Sequence, residues 1–535
     1  MTAENALVPL YGAPSLRIQT FDTHTKLLLK MIKAAVRKWK SALPGIDKVR
    51  PPRLRGPLPT KTLPFTVGGA EISLPTVDED WPAADFKRVW MLALLRNRWL
   101  FPIRDRDERW VCAEEARDTF QTVLPLGVYM SRPYHHWPEM RSDAAMSRLA
   151  FAGLGALRLM PYAADPADPA DLVERARWAH DLSFLRNYAV RPGFERYGAR
   201  AYFDEDQRPI AIYWCHGDAW VRPGDSGWQH AKWAWRCTLM VGTTVADHLV
   251  GVHWLIGNYV TTASRTQLSP THYLRLLLKP FTWRTLTINY GASDSLCPER
   301  GFVHRASALE YDALTKAFAD SVGSLRFHTV RELVARKGAQ HMGDRFPWAT
   351  DALALFEVIH RFVTRYVASY ASDSEIMADT EINGFWSHLN TAPATVMFPS
   401  RSPEGLIDIL AQFIWSVTGL HEAVGTVHEY VMDPTFMGTK IRPGQEMADV
   451  QASMQYLLIM ALTGLEMPAL MDIGDAQGIF GGDRRGRAAF ASFHAELSEL
   501  AGHIQAANQR RAADPERPWP CETFNPMNLE TGVSI

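Results

Sequence analysis

The chain has 535 residues, 57 Lys plus Arg against 58 Asp plus Glu, 47% hydrophobic residues and 5 Cys. That length can bury a large core, and so even a charge balance excludes dependence on nucleic acid as a partner. The cysteines, at 112, 215, 237, 297 and 521, are odd in number and form no CxxC pair, which argues against a disulfide framework and for a reducing, cytoplasmic compartment.

The N-terminus lacks a basic start followed by an apolar run, and no window approaches about 18 uninterrupted apolar residues, so neither a secretory leader nor a bilayer span is expected. Residues 24–42 read as an amphipathic helix: Leu28, Met31, Ile32, Ala35, Val36 and Trp39 share one side, and Lys26, Lys30, Lys33, Arg37 and Lys40 the other. Such a helix either docks on the core with its lysines in water or lies peripherally on an anionic membrane. Pro44, Pro51, Pro52, Pro57, Pro59 and Pro64 then exclude regular helix, and the segment reads as an extended strap.

From about residue 84 helical periodicity dominates. A single strong hairpin signal joins Arg200–Phe203 to Pro209–Trp214 across a polar turn. AADPADPADL at 163–172 reads as a surface loop, and GIFGGDRRGR at 478–487 as a surface turn that is neither a P-loop nor a dinucleotide fingerprint. His135 and His136 have no third ligand nearby in sequence, and the apolar stretch Tyr456–Met471 reads as a buried helix. The expected fold is mostly α, a large single-domain helical bundle with a small β-hairpin subregion. Residues 1–75 form its N-terminal helix and strap, and residues 76–535 its main body.

His248 and His253 stand five apart in a strongly apolar helical stretch. On an α-helix their imidazoles diverge by about 140°, so binding one metal requires a π-type turn, a distortion concentrated at functional sites. The alternative is a pair of hydrogen-bonded core histidines. His421 ends a helix with no charge between Asp408 and itself, which places it deep, where a buried imidazole needs partners. His428, seven residues on, lies about 10 Å further along the axis and cannot share a mononuclear site unless the helix breaks near Gly425.

These pieces together resemble the lipoxygenase family over most of the chain. The likeness rests on His248-Leu-Val-Gly-Val-His253, then Ala263-Ser-Arg-Thr-Gln-Leu-Ser269, His272 to Phe281 and Leu286-Thr-Ile-Asn289. It continues through Phe346-Pro-Trp-Ala-Thr-Asp351, Glu381-Ile-Asn-Gly-Phe-Trp386, His421-Glu-Ala-Val424 and the ending Val533-Ser-Ile535. The resemblance implies His248, His253, His421 and the terminal carboxylate of Ile535 as ligands of one non-haem iron. It also implies a lipoxygenase-like catalytic domain over 76–535 of the compact bacterial type, since the first 75 residues show no alternating strands of the family's N-terminal β-sandwich.

The implied chemistry is hydrogen abstraction from the methylene between two cis double bonds of a polyunsaturated fatty acid. Iron-bound hydroxide acts there rather than a side-chain base, and O2 addition gives a hydroperoxide. Gly425 departs from the resemblance, standing where the family usually places Asn, His or Ser as a further weak ligand. Water or a rearranged neighbour such as His428 is the expected substitute. The spacing after His253 is one residue longer than the family pattern, and a register placing Asn258 at the second ligand position is rejected because it demands a four-residue deletion. Ala292 falls at the family position that influences stereochemistry. The competing readings are an iron enzyme acting on a fatty acid hydroperoxide or a non-lipid metabolite, and a lipid-binding protein with a degenerate site.

Overall fold

The computed structural model describes residues 61–67, 70–76 and 140–533, the last with short gaps at 432, 464–468 and 475–476, together with scattered positions between 103 and 116. The helix read at 24–42, most of the strap, His135, His136 and Ile535 lie outside the described residues.

Lys61–Val67 (β1) and Ala70–Thr76 (β2) pair antiparallel, with Leu63 opposite Leu74 and Phe65 opposite Ile72. The strap reading is therefore corrected at its end. Pro64 sits inside β1 opposite Ser73, and the expected boundary after residue 75 falls within β2. A two-stranded ribbon leaves each strand a free edge, where proline costs no ladder bond.

The expected hairpin is the middle of a larger unit. Leu159–Pro161 (β3), Trp178–Asp181 (β4), Ala199–Phe203 (β5), Pro209–Trp214 (β6) and Ala219–Val221 (β7) form one antiparallel meander in sequence order. β5 and β6 pair Ala201 with Ile212 and Tyr202 with Ala211, and the register shifts at Phe203. Strands of three or four residues, such as β3, β4 and β7, are too short to show the alternation by which a strand is read. The loop at 163–172 is likewise shorter than expected, because Ala170–Arg175 (α1) begins behind Pro169.

Lys337 secures the entrance to β3. Its Nζ donates to the carbonyls of Ala156 (3.1 Å), Leu157 (2.8 Å) and Leu159 (2.6 Å). Lys337→Met keeps the stem and strands three buried acceptors, so an unfolding free energy lowered by about 3 kcal/mol is expected in urea titration.

The body is helical. Trp228–Gly242 (α2), a π-helical segment Thr243–Gly257 and Asn258–Gln267 (α3) make one continuous rod through the core. This rod of 40 residues, with a mean hydropathy of 1.3 over its most apolar window, is long and apolar enough to cross a membrane by length and composition. Its window is 78% buried inside the protein, so it reads as a core helix. The sequence test missed it because isolated Thr, Asp and His residues interrupt the apolar run without polarising its mean.

Around the rod lie Thr285–Ser295 (α4), Tyr311–Ser324 (α5), Pro347–Tyr370 (α6), Thr380–Leu389 (α7) and Pro403–Trp415 (α8). His421–Gly425 (α9), His428–Val431 (α10), Val450–Thr463 (α11) and Arg484–Ala512 (α12) follow. In α6 the buried Leu355, Phe356, Ile359, Phe362, Val363 and Tyr366 recur at helical spacing and face α8 and α12. Phe362 stacks on Phe493 of α12 with centroids 4.2 Å apart.

Two motifs distant in sequence meet between α3 and α7. Glu381 accepts from the Ser269 amide at 2.6 Å, and a Cβ at Gly384 would lie 2.7 Å from Gln267 Oε1. The glycine-rich segment near 478–487 is a turn, as read, with Gly481 at φ 53°, but it also starts α12, whose first turn is capped by Asp483.

Candidate metal centre

The segment carrying His248 and His253 is π-helical from Thr243 to Gly257. Widening the turn returns the fifth residue to nearly the same face, so the two imidazoles converge where an α-helix would part them. Gly257 shows how the sequence admits this. A Cβ there would lie 2.7 Å from the carbonyl oxygen of Val252, five residues back. Outside the segment Arg158 clamps Asp247, the neighbour of His248, through two hydrogen bonds of 2.8 Å.

A second π-helical turn, Ser416–Leu420, leads from α8 into His421. His248 Nε2 lies 3.0 Å from His253 Nε2 and 3.2 Å from His421 Nε2, and the candidate ligand atoms of all three lie within 4.8 Å of one another. His253 and His421 are buried, and His248 is half-buried. Burial, with the two neighbouring imidazoles, holds His248 well below the ordinary histidine value. Burial lowers His253 to about 4, against the opposing hydrogen bond to Asn289. Both are therefore neutral at neutral pH, the state in which imidazole ligates.

The tautomer of His253 is set by its surroundings. Asn289 Nδ2 donates to the His253 carbonyl at 2.9 Å, which turns Asn289 Oδ1 towards His253 Nδ1, also at 2.9 Å. Nδ1 must then donate, and Nε2 presents its lone pair to the cluster. Nitrogens 3.0 and 3.2 Å apart are close enough for one ion, at an ordinary metal–nitrogen distance of about 2.1 Å, to be shared between them. The residues present therefore fit a metal ion. Leu249, Val252, Trp254 and Val424, close to the histidines in sequence, are apolar and buried.

Gly425 closes α9 against the cluster. A Cβ at this position would lie 2.9 Å from His248 Nε2 and 3.3 Å from His421 Nε2, so the backbone approaches too closely for a side chain. The helix breaks here and α10 starts at His428, as the sharing of a site by His428 would require, although the His428 side chain lies outside the described residues. Val533 is buried, and Ile535 beyond it is outside the described residues. Ala292 is buried on α4, three residues beyond Asn289.

Asn258 faces away from the cluster, bonding Asn289 Nδ2 and the Pro75 carbonyl. Sequence reasoning named Asn289 only as the end of a motif and gave it no task. Its place one helical face along from Ala292 was the one available hint.

A mostly α body, with a small antiparallel sheet, thus brings together three histidines that could hold a metal ion. Residues 218–437 match the family model for lipoxygenase. Lipoxygenase 7, chloroplastic, of Oryza sativa subsp. japonica is 24% identical over 338 residues, 52% of this chain and 36% of the relative. Linoleate 9/13-lipoxygenase of Pseudomonas aeruginosa is 28% identical over 235 residues, 40% of this chain and 34% of the relative. The chain thus spans about a third of the length of the curated relatives it matches. The fold is also that of the manganese lipoxygenase of Gaeumannomyces graminis, at TM-score 0.66 and 17% identity, covering 96% of this chain and 99% of that one. Residues 218–437 are thus similar to the lipoxygenase domain, and the fold of the chain is that of the lipoxygenase catalytic domain.

Proposed function

We propose that the protein is a dioxygenase that inserts O2 into a polyunsaturated fatty acid and yields a hydroperoxide, using one iron held by His248, His253, His421 and the terminal carboxylate of Ile535. The convergence of three imidazoles, two of them buried and the third half-buried, carries this reading. When bound, the metal supplies the one-electron chemistry that removes a hydrogen atom from a bis-allylic carbon. The chain's own part is orientation. Asn289 keeps His253 Nε2 free for ligation, and Arg158 fixes Asp247 beside His248.

Iron is preferred on the family's usual metal, and manganese, named for the Gaeumannomyces relative, is the alternative ion. Linoleate, named for the Pseudomonas relative, is the first substrate to try. Oxygen uptake with linoleate, accompanied by conjugated-diene absorbance and abolished by metal removal, supports the reading. Metal-loaded protein that consumes no oxygen with any polyunsaturated fatty acid contradicts it.

Gly425 supports a second reading. With no side chain to complete the ligand set there, the same centre acts on a fatty acid hydroperoxide, and loss of added hydroperoxide without oxygen uptake would select that outcome.

Two further assignments belong to this reading. Ala292 influences stereochemistry, so Ala292→Gly changes the product's R to S ratio by chiral chromatography, and an unchanged ratio removes Ala292 from that role. The segment 24–42, read from sequence as a basic amphipathic helix, contacts anionic membranes from a reducing, cytoplasmic compartment, in keeping with five free cysteines. Co-sedimentation with anionic vesicles falls when Lys26, Lys30, Lys33 and Arg37 are replaced by Ser, and equal co-sedimentation contradicts the contact.

A further inference from the structure

We infer that Asn258 is a positioning residue that couples the β1–β2 hairpin to the metal-facing nitrogen of His253, a role resting on the reading of His253 as a ligand. The contacts are continuous. The Pro75 carbonyl on β2 accepts from Asn258 Nδ2 at 2.7 Å and from Thr262 Oγ1 at 3.1 Å. Asn258 Oδ1 accepts from Asn289 Nδ2 at 3.3 Å, and Asn289 Oδ1 accepts from His253 Nδ1 at 2.9 Å.

Each step has a fixed direction. A carbonyl can only accept, so Pro75 turns the Asn258 amide nitrogen towards the hairpin and its oxygen towards Asn289. The His253 carbonyl turns Asn289 in the same sense. His253 Nδ1 is left facing an acceptor and must carry the proton, which leaves Nε2 with its lone pair towards His248 and His421. Flipping either amide sets a donor against a donor or an acceptor against an acceptor. Asn258 and Asn289 are only 1% and 2% exposed, so bulk water cannot repair a reversed orientation.

β2 also packs on α3 and α5, so the hairpin leans on the same rod that carries the ligands. Coupling of this kind is reciprocal: metal at the cluster steadies the hairpin, and the anchored hairpin slows loss of the metal.

The test uses the full chain, loaded with iron or manganese and then stripped with a chelator. Hydrogen exchange is followed over residues 70–76 in both states. Metal loss to the chelator is timed for wild type, Asn258→Leu and Thr262→Val, with thermal unfolding as the control for folding. Exchange at 70–76 is expected to slow when wild type is loaded. Asn258→Leu is expected to release metal on the order of ten-fold faster, with hairpin exchange no longer responding to metal. Thr262→Val removes one donor to Pro75 but leaves the Asn258–Asn289–His253 contacts intact, so it keeps the wild-type release rate.

Wild-type metal release from Asn258→Leu, or hairpin exchange in wild type that ignores the metal, overturns the coupling while leaving the ligand reading in place. Wild-type protein that holds no metal at all contradicts the ligand reading and the coupling with it. Should Asn258→Leu fail to fold, the loaded and stripped wild-type comparison decides alone.

Discussion

His421→Ala is expected to yield folded protein that retains less than roughly a tenth of the wild-type metal, because a buried mononuclear site that loses one ligand is left with incomplete geometry and charge. The fold should survive. His421 follows α8 and its π-helical turn, where Leu406, Ile409, Leu410, Phe413 and Val417 are buried and unaltered by the substitution. Metal content by elemental analysis, measured beside the thermal transition, separates the two effects. Near-normal metal in the variant would remove His421 from the site. His253→Ala should do the same damage and also strand Asn289, whose Oδ1 loses the His253 Nδ1 donor at 2.9 Å.

Asp351→Ala is expected to lower the unfolding free energy by about 3–5 kcal/mol, the usual cost of removing one partner from a buried ion pair. Asp351 accepts from Arg511 NH1 at 2.6 Å and NH2 at 2.9 Å, and both side chains are almost fully buried. Arg511 also bonds Asn508 Oδ1 at 2.9 Å, and Asn508 holds Cys521 through its amide and carbonyl, each at 2.9 Å. The network therefore ties α6 and α12 to the segment leading to the C-terminus.

That segment returns to the helix that leads into His421. Phe524 stacks on Trp415, and a Cβ at Gly419 would meet Phe524 Cδ1 at 3.1 Å and Leu355 Cδ2 at 2.8 Å. The loss at Asp351 is thus expected to loosen the terminal segment as well as the core. Urea titration checks the stability change, and proteolysis of the terminal segment checks the loosening. A change below 1 kcal/mol would show that Asp344, which accepts from Arg511 Nε at 2.8 Å, suffices to hold the guanidinium.

The sequence made some of this legible and hid the rest for identifiable reasons. The β5–β6 hairpin was readable because its alternation and its turn are contiguous. β1–β2 was not, because Pro64 and the prolines before it read as a strap, whereas an edge ribbon tolerates them. The five-residue spacing of His248 and His253 stated a requirement for a π-turn, and the structure meets it across fifteen residues rather than at one bulge. No local pattern specifies so long a run; the close approach of Gly257 to Val252 appears only once the helix is built.

Asp351 was visible as part of a motif, but its partner lies 160 positions away, beyond the reach of any local pattern. The Pro75–Asn258 contact spans 183 positions and was equally hidden. Gly425 was seen as a departure from a ligand position. That its backbone closes on two imidazole nitrogens is a fact of three dimensions.

The most direct test is the metal content of full-length protein with a free C-terminus, purified without chelator and measured against protein concentration. Iron, or manganese in its place, at close to one ion per chain in wild type and lost from His253→Ala and His421→Ala is the predicted result. Wild-type protein that remains metal-free after incubation with either ion would contradict the three-histidine centre on which the proposed dioxygenase activity depends.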